Sequence, residues 1–278
     1  VTQNWADIGT AACAVLLTEN AADKAEIARH VAAAWRTGSL AFSFKASPPE
    51  RPARPEHPIM MQPADMPKRR KAGTDANRRA LLHAVAHIEL NAIDLAFDII
   101  ARFGGTMPRN FTDDWISVGD DESRHFSLVS ERLKASDSYY GDLPAHDGLW
   151  QSSQDTAANL AARLAIVPMV LEARGLDVTP SMIAQFRRVG DDASADVLQV
   201  IYNDEIGHVA TGSRWFKFLA NQTNQNPETW FHNLVSEYFR GYLKPPFNEN
   251  ARDKAGMPNT FYLPLTAPSK ADQAEHKK

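Results

Sequence analysis

Four stretches of this chain show helical apolar periodicity, and each sets a glutamate in the middle of its apolar stripe. In residues 75–103 the stripe is Leu82, Val85, Ala86, Glu89, Ala92, Ile93 and Ala96. In 112–135 it is Trp115, Val118, Gly119, Glu122, His125, Phe126 and Val129. In 153–175 and just beyond it is Ala165, Pro168, Met169, Glu172, Gly175 and Leu176. In 191–221 it is Leu198, Ile201, Tyr202, Glu205, His208, Val209 and Gly212. Steps of three and four residues keep each set on one helix face. An isolated buried carboxylate is costly, and several facing one core repel one another. Cations bound between them remove both penalties.

The histidines strengthen this reading. Glu-x-x-His puts both side chains on one face, one turn apart, and it occurs at Glu122–His125 and at Glu205–His208. A single such motif is weak evidence, since chance supplies it in many helices. Here both recur at equal offsets: Glu89 to Glu122 and Glu172 to Glu205 are each 33 residues. Adding 83 to Glu89, Asp121, Glu122 and His125 gives Glu172, Asp204, Glu205 and His208. Four carboxylates and two imidazoles are the ligand set of carboxylate-bridged di-iron or di-manganese bundles. The competing reading is a metal-free core of protonated glutamates and histidines, which requires every acid to be satisfied internally.

The rest of the chain supports an all-α fold. Residues 5–38 are expected to be helical, with Gly38 as the stop. Seven prolines between 47 and 73 exclude a helix and mark an extended strap. Helices are expected at 75–103, 112–135 (Thr112 as N-cap), 153–175 (stopping at Gly175), 180–189 (opened by Pro180), 191–221 and 227–240, with an irregular tail after Pro245. The expected organisation is an N-terminal helical segment (1–46), the strap (47–73), a bundle (74–221) and a C-terminal helix with its tail (222–278).

Composition narrows the function classes. The net charge of −4 argues against bulk nucleic-acid binding. One cysteine, Cys13, permits neither an intrachain disulfide nor a cysteine zinc site. The apolar run Ala11–Leu17 is too short to span a membrane and has no basic leader, so a cytoplasmic protein is expected.

Several residues keep two readings at this stage. His83, His87, Asn91, Asp94 and Asp98 form a second polar stripe on the first long helix, read as a solvated or inter-helix hydrogen-bonded face or as a second functional surface. His87 lies about 200° around the helix from Glu89 and cannot easily reach the same ion. Tyr202, one turn before Glu205, is an aromatic core residue or a redox or pocket residue beside the metals. Gly119, Gly175, Gly207 and Gly212 make room for oxygen or substrate, or permit close helix packing. Pro168 should bend the third helix one turn before Glu172. The basic run Pro67-Lys68-Arg69-Arg70-Lys71 reads as a solvated linker or an anionic-partner site. Cys13 reads as a core residue.

With these motifs in hand, the sequence resembles the ferritin-like di-iron carboxylate superfamily over residues 75–221. The segments His87–Ala96 and Asp204–His208 look like an uncharacterised bacterial family of ferritin-like proteins, a resemblance that also takes in the strap. It implies a ferritin-like four-helix bundle with added N- and C-terminal helices, and two metal ions per chain, iron or alternatively manganese. Glu89 with His125 would hold one ion, Glu172 with His208 the other, and Glu122 and Glu205 would bridge. In similar proteins the acid before Glu-x-x-His orients the facing imidazole, which assigns Asp121 to His208 and Asp204 to His125. The Asp121-Glu122-Ser123-Arg124-His125 form resembles that of acyl-carrier-protein desaturases and of the tRNA-hydroxylase branch; the second motif departs from it at Gly207. The resemblance supplies no substrate and no catalytic residue beyond the ligands. The leading expectation is an O2-dependent di-iron oxidoreductase acting on a small molecule, with an electron donor and a homodimer as candidate partners. The alternatives are a metal-handling ferroxidase or iron store, and a non-catalytic structural bundle.

Overall fold

A computed structural model describes residues 5–67 and 72–267. Among these residues the chain is helical, and the only β pairing consists of isolated bridges. Four of the five residues of the basic run at 67–71 lie outside the described residues. No helix among the described residues is long and apolar enough to cross a membrane. The chain divides into two compact units: residues 1–154 with 181–201, and residues 155–180 with 202–278.

The first unit opens with α1 (Ile8–Leu16) and α2 (Ala21–Arg36). The single helix expected over 5–38 is therefore two. The reason is Asn20, whose side chain accepts from the backbone N–H groups of Ala22 and Asp23 at 2.9 and 3.0 Å and starts a new helix. Helix α3 (Asp75–Phe103) is capped by Thr74 and packs most extensively on α4 (Arg109–Lys134). Helix α4 begins three residues before the expected Thr112 cap. Pro108 supplies the fixed φ for entry, and Thr112 is buried in the first turn. Helix α5 (Gly148–Asp155) follows a long loop.

Among its described residues the strap carries no helix apart from one 3-10 turn at Pro63–Asp65. Its backbone is tied down at Ala53, whose N–H donates to Leu16 O at 2.8 Å, and at Met61, whose N–H donates to Ala145 O at 2.8 Å. Strap and loop together cover the second polar stripe of α3, which is a buried hydrogen-bonded face rather than a solvated one. Lys24, 1% exposed, donates to Asp94 at 2.6 Å and to Ala53 O at 2.9 Å. Arg54 of the strap donates to Asn91 at 2.7 Å and lies 3.0 Å from Asp94. Arg102 bridges Asp98 at 2.8 Å and Pro49 O at 3.1 Å. His87 accepts from Tyr140 Oη at 2.9 Å and donates through Nε2 to His146 O at 3.0 Å. Burial pulls His87 down to about 3, so its ring is neutral near pH 7. Gly141 N–H donates to His83 Nε2 at 3.0 Å. Cys13 is a buried free thiol.

The second unit contains α6 (Leu160–Ile166), a π-helical segment (Val167–Glu172), the start of α7 (Ala173–Arg188), most of α8 (Asp192–Gln222) and α9 (Pro227–Tyr238). The helix expected over 153–175 starts later and does not stop at Gly175. Asn159 caps it, accepting from Ala162 N–H at 3.1 Å. Pro180 lies inside α7 instead of opening a separate helix. A proline there withholds the backbone donor that Leu176 O would receive. Asn248 replaces it, its Nδ2 donating to Leu176 O at 3.2 Å. The tail beyond Pro245 is correspondingly less irregular than expected, holding α10 (Glu249–Lys254) and α11 (Asn259–Tyr262). Asn248 caps α10, while Arg252 forks onto Asp177 at 2.9 and 2.7 Å. The guanidinium also packs on the Phe247 and Tyr262 rings, 5.1 and 4.6 Å from their centroids.

Candidate metal centre

The first unit brings three of the expected ligands together. Glu89 sits on α3 among Val85, Ala86, Ala92 and Ile93, all buried. Glu122 and His125 sit on α4 among Val118, Phe126 and Val129. Glu89 is 2% exposed, and Glu122 and His125 are fully enclosed. His125 Nδ1 lies 3.2 Å from a Glu89 oxygen and 3.4 Å from a Glu122 oxygen. One ligand atom from each residue falls within 4.8 Å of the others. Donors about 2 Å from a shared divalent ion stand up to about 4 Å apart, so a small rotamer adjustment brings all three onto one cation.

The electrostatics fit the same use. Burial, then the charge of Glu122, pushes Glu89 well above the usual carboxylate range. Burial alone pulls His125 down, but hydrogen bonds to Glu122 and Glu89 outweigh it and hold the imidazole far above its ordinary value. Without an ion, this cluster keeps protons that a divalent cation would displace.

The second unit contributes the matching motif. Glu205 is 8% exposed and His208 3%, with His208 Nδ1 3.8 Å from a Glu205 oxygen. Glu172, half-buried, ends the π segment. The acids that precede the motifs stand farther out. Asp121 has an oxygen 3.1 Å from Arg124, with 40% of its side chain exposed, and Asp204 is half-buried. Tyr202 is half-buried, and its hydroxyl accepts from Asn248 Nδ2 at 2.9 Å.

Two features went unread in the sequence. The π segment was signalled only by Pro168, which the periodicity reading took as a bend. Asn248 lies in the tail and had no signal: its role depends on a carbonyl that Pro180 leaves without its usual donor.

No solved structure matches this chain. A curated relative from Haemophilus influenzae, described as an uncharacterized protein, is 42% identical over 209 residues, covering 73% of this chain and 72% of its own length. A family model described as "Protein of unknown function (DUF455)" matches residues 17–263. The chain therefore belongs to that family of unknown function.

Proposed function

We propose that this protein is a ferritin-like, dinuclear metalloprotein that uses O2 to oxidise a small molecule. The observation that carries the reading is the enclosed Glu89–Glu122–His125 cluster, two acids and an imidazole with ligand atoms within 4.8 Å of one another in an apolar surround. In this reading Glu172, Glu205 and His208 would hold a second ion, and Glu122 and Glu205 would be the shared ligands. Asp121 and Asp204 orient the two imidazoles. Iron suits the mixed carboxylate and imidazole set, and manganese is the competitor. Bound there, such a pair would supply the redox chemistry needed to use O2.

The chain's own part is to hold ligands and keep water away. Val118, Phe126 and Val129 are buried on the face of α4 that carries Glu122 and His125. The low local dielectric strengthens every charge interaction there. His125 and Glu89, which hold their protons more tightly than usual, would release them to an incoming ion.

Metal analysis of protein from iron- and manganese-supplemented cells, with Glu122→Ala alongside, tests this. About two iron atoms per chain, lost in the variant, support it. Two manganese atoms keep the site and remove the oxygenase reading. No metal in either preparation overturns both. Oxidation of added ferrous ion by O2 without any co-substrate would instead favour a ferroxidase.

A further inference from the structure

Gly212 on α8 and Pro168 in the π segment meet without a spacer. A methyl group built on Gly212 would stand 2.4 Å from Pro168 Cγ and 2.5 Å from Pro168 Cβ. The pyrrolidine ring has no rotamer in which to swing aside. Both residues are buried, and Met169 Cγ is the next neighbour at 3.8 Å. Two stretches of backbone therefore touch here through one rigid ring.

The place of this contact matters. Pro168 is four residues before Glu172, and Gly212 four residues after His208. Four residues are about one helical turn, so the contact lies next to acid and imidazole ligands on two separate helices. The chain between Pro168 and Glu172 is π-helical: Ala173 N–H bonds back to Pro168 O, five residues away. A π turn changes the rotation and rise of the residues that follow it, and such turns are frequent at functional sites. On its other side α8 is anchored, because Ser213 Oγ and Lys217 Nζ both donate to Gly256 O. A displacement at 212 is therefore directed into the segment that carries Glu172.

We infer that Gly212 and Pro168 are a positioning pair: their contact sets the distance between Glu172 and the Glu205–His208 motif, and with it the fit of the second metal ion. The inference rests on the two-metal reading above. Ordinary van der Waals contact begins near 3.4 Å, so a methyl at 212 requires a shift of about 1 Å. Ligand distances tolerate only about 0.2 Å. The Glu89–Glu122–His125 cluster contains neither residue. Gly175 supplies a control, since a methyl built there meets nothing within 4 Å.

The experiment is anaerobic titration of the apo full-length chain with Co(II), followed by visible absorption. Wild type and Gly175→Ala are expected to bind about two equivalents, each with ligand-field bands. Gly212→Ala should bind about one equivalent at wild-type strength and the second at least about tenfold more weakly. Pro168→Gly, which removes the ring instead of adding a methyl, should weaken the same equivalent, and it keeps the test alive if Gly212→Ala does not fold. The pair Pro168→Gly/Gly212→Ala, with ring exchanged for methyl, should recover part of the second equivalent. The inference is overturned if the folded variants bind both equivalents like wild type, or weaken both together. A wild-type chain that binds no Co(II) overturns the two-metal reading itself, and the inference with it.

Discussion

The two Glu-x-x-His motifs share residue types and offsets, but the packing that holds them differs. In the first, Glu89, Glu122 and His125 lie on two long uninterrupted helices and are almost completely enclosed. In the second, Glu172 ends a π segment behind a proline, and Glu205 retains 8% exposure. Each half has one glycine where its helices touch, but at opposite ends of the motif. Gly119 precedes Glu122, and a methyl there would stand 2.7 Å from the Phe97 ring; Gly212 follows His208. Adding 83 to Gly119 gives Tyr202, a bulky residue, so the close approach is not repeated. Matching side chains at matching offsets can therefore be held by unlike scaffolds, one regular and one interrupted.

Perturbing each scaffold apart from its ligands sharpens this contrast. The largest effect is expected in the first unit at Asp94, the buried partner of Lys24. Asp94→Ala leaves an ammonium enclosed without its counter-charge and should cost about 3–5 kcal/mol in denaturant unfolding. An unchanged midpoint would mean that water reaches Lys24. Next, Gly119→Ala overpacks the Phe97 contact and should cost about 1–3 kcal/mol. Equal destabilisation by Gly119→Ala and Gly212→Ala, with equal loss of Co(II), would erase the contrast drawn above. Smallest is Asn248→Ala, which strips a donor from Leu176 O and from the Tyr202 hydroxyl and removes the weak 3.3 Å N-cap of the short α10. It should lower stability by about 1 kcal/mol, and an unchanged melting temperature would show that solvent replaces the amide.

The first three candidate ligands were legible because a 3.6-residue period places a stripe without knowledge of partners. Glu89, Glu122 and His125 fall on buried faces of two regular helices, and the structure brings them together. The all-helical class was legible for the same reason, as was the extended strap from its prolines. Less legible was the break at Asn20, because both flanking segments keep helical periodicity and only the cap marks it. The π segment was hidden, since one wider turn barely changes an apolar pattern read over a dozen residues. Hidden too were the partners of Asp94: Lys24 and Arg54 come from α2 and the strap, and no local pattern links them to α3. Periodicity could mark Asp94 as lying on a polar stripe, but it could not distinguish water from a buried cation as the neighbour.

The fork between Arg252 and Asp177 has a consequence for the order in which the chain is made. Asp177 leaves the ribosome 75 residues before Arg252, and until then its arginine partner is Arg174, at 3.4 Å on the preceding turn. At 5–20 residues per second that is an interval of roughly 4 to 15 s. During it, the helix around Pro180 also lacks the amide of Asn248 that completes its hydrogen bonding. The second unit therefore cannot close during synthesis of its first half. Its native packing waits for the C-terminal segment, while α1 to α4 of the first unit are already available to fold.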